Sequence, residues 1–341
     1  MDISVRGAGI LGLSIAWRCV QAGARVELVD PHGVAAAASG GIVGALAPHV
    51  PENWNDKKQF QLDSLLMAPA FWAEVAETGG GDPGYARLGR VQPLAEAGVD
   101  LARSRAVGAE AVWSDNARWK VTDAAQGWDV PSPSGFYVFD TLSAHIHPRR
   151  ACDAVAAALG ARGWHVVTDA TASPAKIVWA TGVTGLEALN EGARRPMGQG
   201  IKGQAALLRL DRTGLPQLFT DTLHIIPHLD GTVAIGSTTE REFENANETD
   251  ALLEEVLARA RAAVPELAGA DVIQRWAGLR PRARSRAPML GDWPDHPEHY
   301  VANGGFKIGL GMAPKIAEVM TQLLLEDVDN IPQSFRVEAS L

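Results

Sequence analysis

The chain has 341 residues, 46% of them hydrophobic and 21% charged, the composition of a folded globular protein. At ~100–200 residues per domain, that length suggests two lobes. A formal net charge of −9 argues against a general nucleic-acid binder, which usually presents a basic domain.

Residues 2–30 read as strand, glycine turn, helix, strand. Ile3 and Val5 lead into Gly7-Ala8-Gly9-Ile10-Leu11-Gly12, a helix is expected over 13–22, and a second apolar strand over 26–29 ends at Asp30 and Pro31. An alanine- and glycine-rich loop follows over 33–44. Residues 58–77 carry an amphipathic helical pattern, broken by the glycine run 79–81 and Pro83. A strand-like run at 136–139, a helix opened by Pro148, and strands at 164–167 and 177–179 come next, the last ending at the turn 180–182. The segment 203–239 is strand-rich, with the hairpin signal Asp230-Gly231 before Val233. A helix over 249–263, a strand over 275–279, a glycine-rich stretch over 304–311 and a helix over 314–326 complete the chain. No secretory leader is visible, and the apolar stretch 41–48 is far short of the ~20 residues of a membrane span. The expected location is cytoplasmic. Cys19 and Cys152 form no CxxC or Cys/His pattern, so no metal site is expected.

The glycine turn carries the first chemical signal. In Gly7-x-Gly9-x-x-Gly12 the first glycine permits the tight turn, the second lets backbone approach a pyrophosphate, and the third lets helix and strand pack closely. The helix start offers free N–H groups and a favourable dipole to phosphates. Asp30 stands at the ~20-residue distance expected of a ribose-binding acid. Its charge disfavours a 2′-phosphate, but the motif by itself does not separate NAD from FAD.

Three further segments resemble the D-amino-acid oxidase (DAO) family of FAD-dependent oxidoreductases, and within it the glycine oxidase and sarcosine oxidase branches. They are the small-residue loop 38–45 with Ser39, Gly40, Gly41 and Ile42, then Gly278-Leu279-Arg280-Pro281 with 288–291 downstream, and Gly304-Gly305-Phe306-Lys307-Ile308-Gly309-Leu310-Gly311. They occur in the family's order, so the resemblance covers nearly the whole chain. It implies an α/β fold of two lobes. A discontinuous Rossmann-type FAD-binding lobe (1–45, 145–190 and 281–341) would join a substrate lobe (46–144 and 191–280) around a large mixed sheet. It also implies FAD contacts from Ala172, Gly182 and the 305–311 loop. With no cysteine near Arg280 or Lys307, the FAD is expected to be non-covalent.

The same resemblance puts Arg280 on the substrate carboxylate, and a guanidinium fork suits that group. Lys307 stands where glycine oxidase carries an arginine, as a second point charge for the carboxylate. His224 stands near a family tyrosine that faces the substrate, either to hydrogen-bond a carboxylate or to respond to pH near neutrality. Arg275, Arg280, Arg282, Arg284 and Arg286 crowd one segment, which reads either as a solvated basic loop or as ligand-facing charges suited to a doubly anionic substrate. His49, Asn53 and Trp54 are candidates to line the re face of the flavin or a lid. The implied activity is oxidation of the CH–NH bond of a small amino acid or N-substituted amino acid, with dioxygen or another electron acceptor. The alternatives are a tRNA-modifying flavin domain and a non-catalytic flavin-binding protein.

Overall fold

The computed structural model describes all residues except 172, 173 and 192. The expected FAD contact Ala172 therefore lies outside the described residues. The helices are α1 (Ile10–Gln21), α2 (Asp56–Gly79), α3 (Val99–Trp113), α4 (Pro148–Ala161), α5 (Gly182–Asn190), α6 (Ala251–Ala263) and α7 (Gly309–Glu326). They serve two sheets, and the fold is mixed α/β.

The first sheet has six strands in the order Met289–Asp292, His299–Asn303, Lys176–Trp179, Ile3–Arg6, Val26–Val29, Val166–Val167. It is parallel except at the outer Met289–Asp292 pairing. The central strands Ile3–Arg6 and Val26–Val29 are buried on both faces, as in a covered parallel sheet. The four helices α1, α2, α4 and α7 pack on one another beside this sheet around Leu13, Trp17, Phe71, Val155 and Ile316, all buried.

The second sheet has eight strands in the order Asp271–Ala283, Gly198–Arg209, Thr232–Gly236, Leu223–Pro227, Gln217–Thr220, Arg90–Pro93, Tyr137–Asp140, Trp119–Thr122. It is antiparallel except where Gln217–Thr220 runs beside Arg90–Pro93. Its two long strands pair over their whole length, from Gly198 opposite Ala283 to Arg209 opposite Asp271. α6 closes the far face through Leu253, Val256 and Leu257.

Several elements differ from the sequence reading. α1 begins at Ile10, directly on the glycine turn, rather than at Leu13. α7 begins at Gly309 and runs through Pro314, whose missing N–H falls in the second turn. α3 and α5 had no counterpart in the pattern. The buried stripe of α3 is Val99, Ala102, Ala109 and Trp113 at helical spacing, but its small alanines give a weak signal. The C-terminal tail docks Phe335 against Phe60 of α2, with ring centroids 4.9 Å apart. Phe335→Ala is expected to cost ~3–5 kcal/mol as a core truncation. A thermal melt unchanged in midpoint would show that the tail contributes nothing to the core.

Candidate active site

The glycine turn sits where its backbone has no alternative. Gly7 has φ +106°, and a Cβ there would run into the Ala180 carbonyl oxygen. A Cβ on Gly12 would run into the carbonyl of Gly7. These close approaches bring the first strand, the turn at 180–182 and the start of α1 to one point. Gly9, between them, would meet only the Ser39 side chain. The Ile10 N–H donates to Ser39 Oγ at 3.0 Å, tying the 38–45 loop to the start of α1. The N-cap Gly9 brings no side chain and the first turn has no acid, so beyond the Ile10 N–H held by Ser39 the positive end of α1 is open to phosphate. Asp30 accepts from the Ala8 N–H at 2.8 Å and from the His32 N–H at 2.9 Å. Each carboxylate oxygen keeps a lone pair, so the acid is fixed at the strand end with capacity for a hydroxyl donor.

The distant segments arrive at the same place. A side chain on Gly305 would reach Leu11 Cδ1 at 3.7 Å, so the C-terminal glycine loop lies against the N-terminal one. The Phe306 N–H donates to the Pro281 carbonyl at 2.9 Å, and Gly305 bridges Arg282. Gly41 of the small-residue loop lies against Trp276, and Ile42 packs in the same apolar cluster as Trp276. α7 also starts without a side-chain cap or a first-turn acid, and a Cβ at Gly309 would meet open space. Gly182 opens α5 at φ +61°, again with open space at its Cβ position. Two uncapped helix starts and a glycine-lined cradle fit a dinucleotide with a flavin between the loops. Of the expected contacts, Pro31 is exposed at the end of its strand, while Ile10, Leu11, Gly41 and Ile42 are buried.

Arg280 is buried on the strand Asp271–Ala283, its guanidinium lying over Gly203, where any side chain would collide with it. Nη1 donates to Ser237 Oγ at 2.6 Å and Nη2 to the Thr238 carbonyl at 2.7 Å. Nε has no partner, and no carboxylate forms an ion pair with this group among the described residues. Glu240, whose charge it feels, is engaged by Lys202 at 3.5 Å and by Gln204 at 3.0 Å. Burial draws the guanidinium pKa down to about 10. The face of the Phe306 ring receives it at 5.3 Å from the centroid.

Lys307 stands 5.8 Å from the same ring, at the solvent edge. Desolvation, then the charges of Arg280 and Arg282, hold its ammonium pKa down to about 8. His224 is close enough to feel Lys307 and Arg90, and burial above all pushes its pKa down to about 3. That direction favours a neutral ring that can hydrogen-bond over one that responds to pH near neutrality. Nδ1 has no partner.

The arginine-rich segment divides. Arg275 forms an ion pair with Glu254 and Arg284 is exposed, as a solvated loop would have it. Arg282 and Arg286 instead line a cavity of about 110 Å³ with His49, Lys57, Phe306 and Lys307. Asn53 and Trp54 do not line it. Ser237 and Gly203 were missed from sequence. A glycine inside a long strand is the one available signal, since it marks a close approach of something else. The Ile42 carbonyl is held by buried His228 Nε2 at 2.9 Å, another contact that sequence left unread.

These features define a two-lobe flavoprotein oxidoreductase. The sequence pattern of the FAD dependent oxidoreductase family, DAO, matches residues 2–323, and the chain belongs to that family. It is 34% identical to the glycine oxidase of Pseudomonas putida over about a third of each chain: 36% of this one and 34% of that one. It is 24% identical to the glycine oxidase of Bacillus licheniformis over 95% of this chain and 93% of the other. The crystal structure of glycine oxidase from Bacillus cereus superposes with a TM-score of 0.82 at 21% identity, covering 96% of both chains. The protein is thus an FAD-dependent oxidoreductase of the DAO family. No helix among the described residues is long and apolar enough to cross a membrane.

Gly7→Ala is expected to yield protein that retains no flavin, since a Cβ at this φ collides with backbone that has no room to withdraw. The ratio of visible to ultraviolet absorbance after desalting, read beside circular dichroism to establish folding, checks this. Wild-type flavin content in the variant would refute the cradle.

Proposed function

We propose that this chain oxidises the CH–NH bond of a small amino acid or N-substituted amino acid whose carboxylate is held by Arg280. The observation that carries this reading is the buried guanidinium without an acid partner, lying over the Phe306 ring of the C-terminal glycine loop. An unpaired buried charge is costly unless something compensates it, and a ligand carboxylate does so with a charge-assisted bond.

FAD, when bound, supplies the acceptor for two electrons and a proton from the carbon beside the nitrogen. Gly7, Gly9, Gly12 and the start of α1 would hold its pyrophosphate, and Asp30 its ribose. The loop from Ser39 to Ala45 and the loop from Gly305 to Gly311 would flank the ring system. The cofactor is non-covalent in this reading, because Cys19 and Cys152 are both buried thiols. Burial pushes them up to about 11 and about 12, far from the thiolate that a covalent link needs.

Arg280 orients the substrate, with its own geometry fixed by Ser237 and the Thr238 carbonyl. Lys307 adds a point charge, and His224 contributes a neutral imidazole. The substrate amine loses its proton before the C–H bond breaks, and solvent at the Lys307 edge can take it. The oxidised product is an imine, which water hydrolyses to a keto acid or aldehyde, and dioxygen or another acceptor regenerates the enzyme. The lobe boundaries proposed for this activity are 1–45, 145–190 and 281–341 for FAD, and 46–144 and 191–280 for substrate. α2 falls in the second range yet packs on α4 and α7.

Arg280→Ala is expected to raise the apparent KM by roughly two orders of magnitude, within the ~2–5 kcal/mol of a truncated buried charge pair. Steady-state oxidation of glycine, sarcosine and D-alanine reads the effect, and wild-type kinetics would remove Arg280 from the substrate. A second expectation concerns pH. Lys307 is cationic only below about 8, so its help in binding is fully present below that pH and is lost as pH rises through it. Affinity for a monocarboxylate lacking an amine should fall over this range in wild type and stay flat in Lys307→Met. Parallel profiles for the two proteins would dismiss the lysine.

A further inference from the structure

We infer that the cavity beside Arg280 is a second anion site and that the substrate of this chain carries two carboxylates. One lies on Arg280 and the other on Arg282, Arg286 and Lys307. The inference rests on the reading of Arg280 given above and narrows its substrate class.

Four cationic side chains meet around about 110 Å³: Lys57, Arg282, Arg286 and Lys307. No acid lines the cavity with them. Arg282 and Lys307 have no hydrogen-bonded or ion-paired acid among the described residues, and Arg286 offers only its backbone carbonyl, which Lys57 Nζ donates to at 2.6 Å. Elsewhere this chain pairs its basic groups readily. Arg90 has Asp140, Lys202 has Asp250, Arg105 has Glu52 and Arg336 has Asp329. A chain of net charge −9 that leaves one cavity wholly cationic has concentrated its positive field there.

The geometry joins this cavity to the first carboxylate position. Arg280 and Arg282 are two residues apart on one strand and so project to the same face. Their guanidinium carbons lie 5.3 and 5.5 Å from the centroid of one ring, that of Phe306. Phe306 also lines the cavity, so the two anion positions share a wall. The pyrophosphate has its own cradle at Gly7–Gly12 and does not need these cations. The cations also disfavour one another. The ammonium of Lys57 is lowered by burial and by Arg286, and that of Lys307 by burial, Arg280 and Arg282. A dianion relieves that repulsion, whereas a monocarboxylate on Arg280 leaves most of it in place.

The test uses two thioethers, which have no CH–NH bond and are not oxidised. Thiodiacetate carries two carboxylates, and (methylthio)acetate carries one. Holoenzyme is titrated with each by calorimetry and flavin absorbance at low ionic strength. Thiodiacetate is expected to bind at least about tenfold more tightly, with the advantage shrinking as salt is added. Arg282→Gln/Arg286→Gln should bring the two affinities within about twofold of each other. Arg286 is exposed, so Arg286→Gln alone is a folded fallback expected to lose part of the advantage. Equal affinities in wild type, or an advantage retained in both variants, would overturn the inference while leaving Arg280 as a monocarboxylate site. If neither thioether binds, the Arg280 reading fails and takes this one with it.

Discussion

One backbone hydrogen bond, from the Phe306 N–H to the Pro281 carbonyl at 2.9 Å, joins parts of the chain that belong to different sheets. Phe306 follows the last inner strand of the parallel sheet, while Pro281 lies on the long outer strand of the mixed one. The bond holds the Phe306 ring over Arg280 and Arg282 and carries the chain into the start of α7. Phe306 adopts φ +42°, a conformation rare for a bulky residue. Such a conformation persists only where its surroundings over-determine it, and such residues cluster at functional sites.

The site is arranged around positive electrostatics that the protein itself does not neutralise. Neither α1 nor α7 is capped by its own N-cap side chain, and neither has an acid in its first turn. Arg280 is satisfied by a hydroxyl and carbonyls instead of a carboxylate, which fixes its position without cancelling its charge. The acid whose charge it feels, Glu240, is engaged by Lys202 and Gln204. In the proposed reading the same logic serves both ligands, with phosphates on backbone N–H groups at glycine and carboxylates on guanidinium groups of a rigid strand.

Rigidity has a visible source. The strand bearing Arg280 pairs along its length with Gly198–Arg209, and Gly203 on that partner makes the space the guanidinium occupies. On the other side, the 38–45 loop is pinned at Ser39 by the start of α1, at Ile42 by His228 and at Gly44 by Ile146. Both walls of the cleft are thereby tied to sheet or helix backbone, and binding sites so supported hold their geometry better than free loops.

The sequence by itself determined the dinucleotide turn, because Gly7, Gly9 and Gly12 meet local backbone constraints within one βαβ unit, and those are written in residue order. It also determined the family, through short segments whose order along the chain needs no coordinates. It marked Arg280, Lys307 and His224 only by resemblance and could not choose between the two roles of His224, whose pKa is lowered by burial and by Arg90 and Lys307 rather than by its neighbours in sequence. Tertiary structure alone decided which arginines between 275 and 286 face a cavity and which face water or Glu254. That outcome depends on strand register and on where Lys57 and Phe306 arrive from distant positions. Charge and desolvation are properties of the neighbourhood in space, and no local pattern in a chain encodes them.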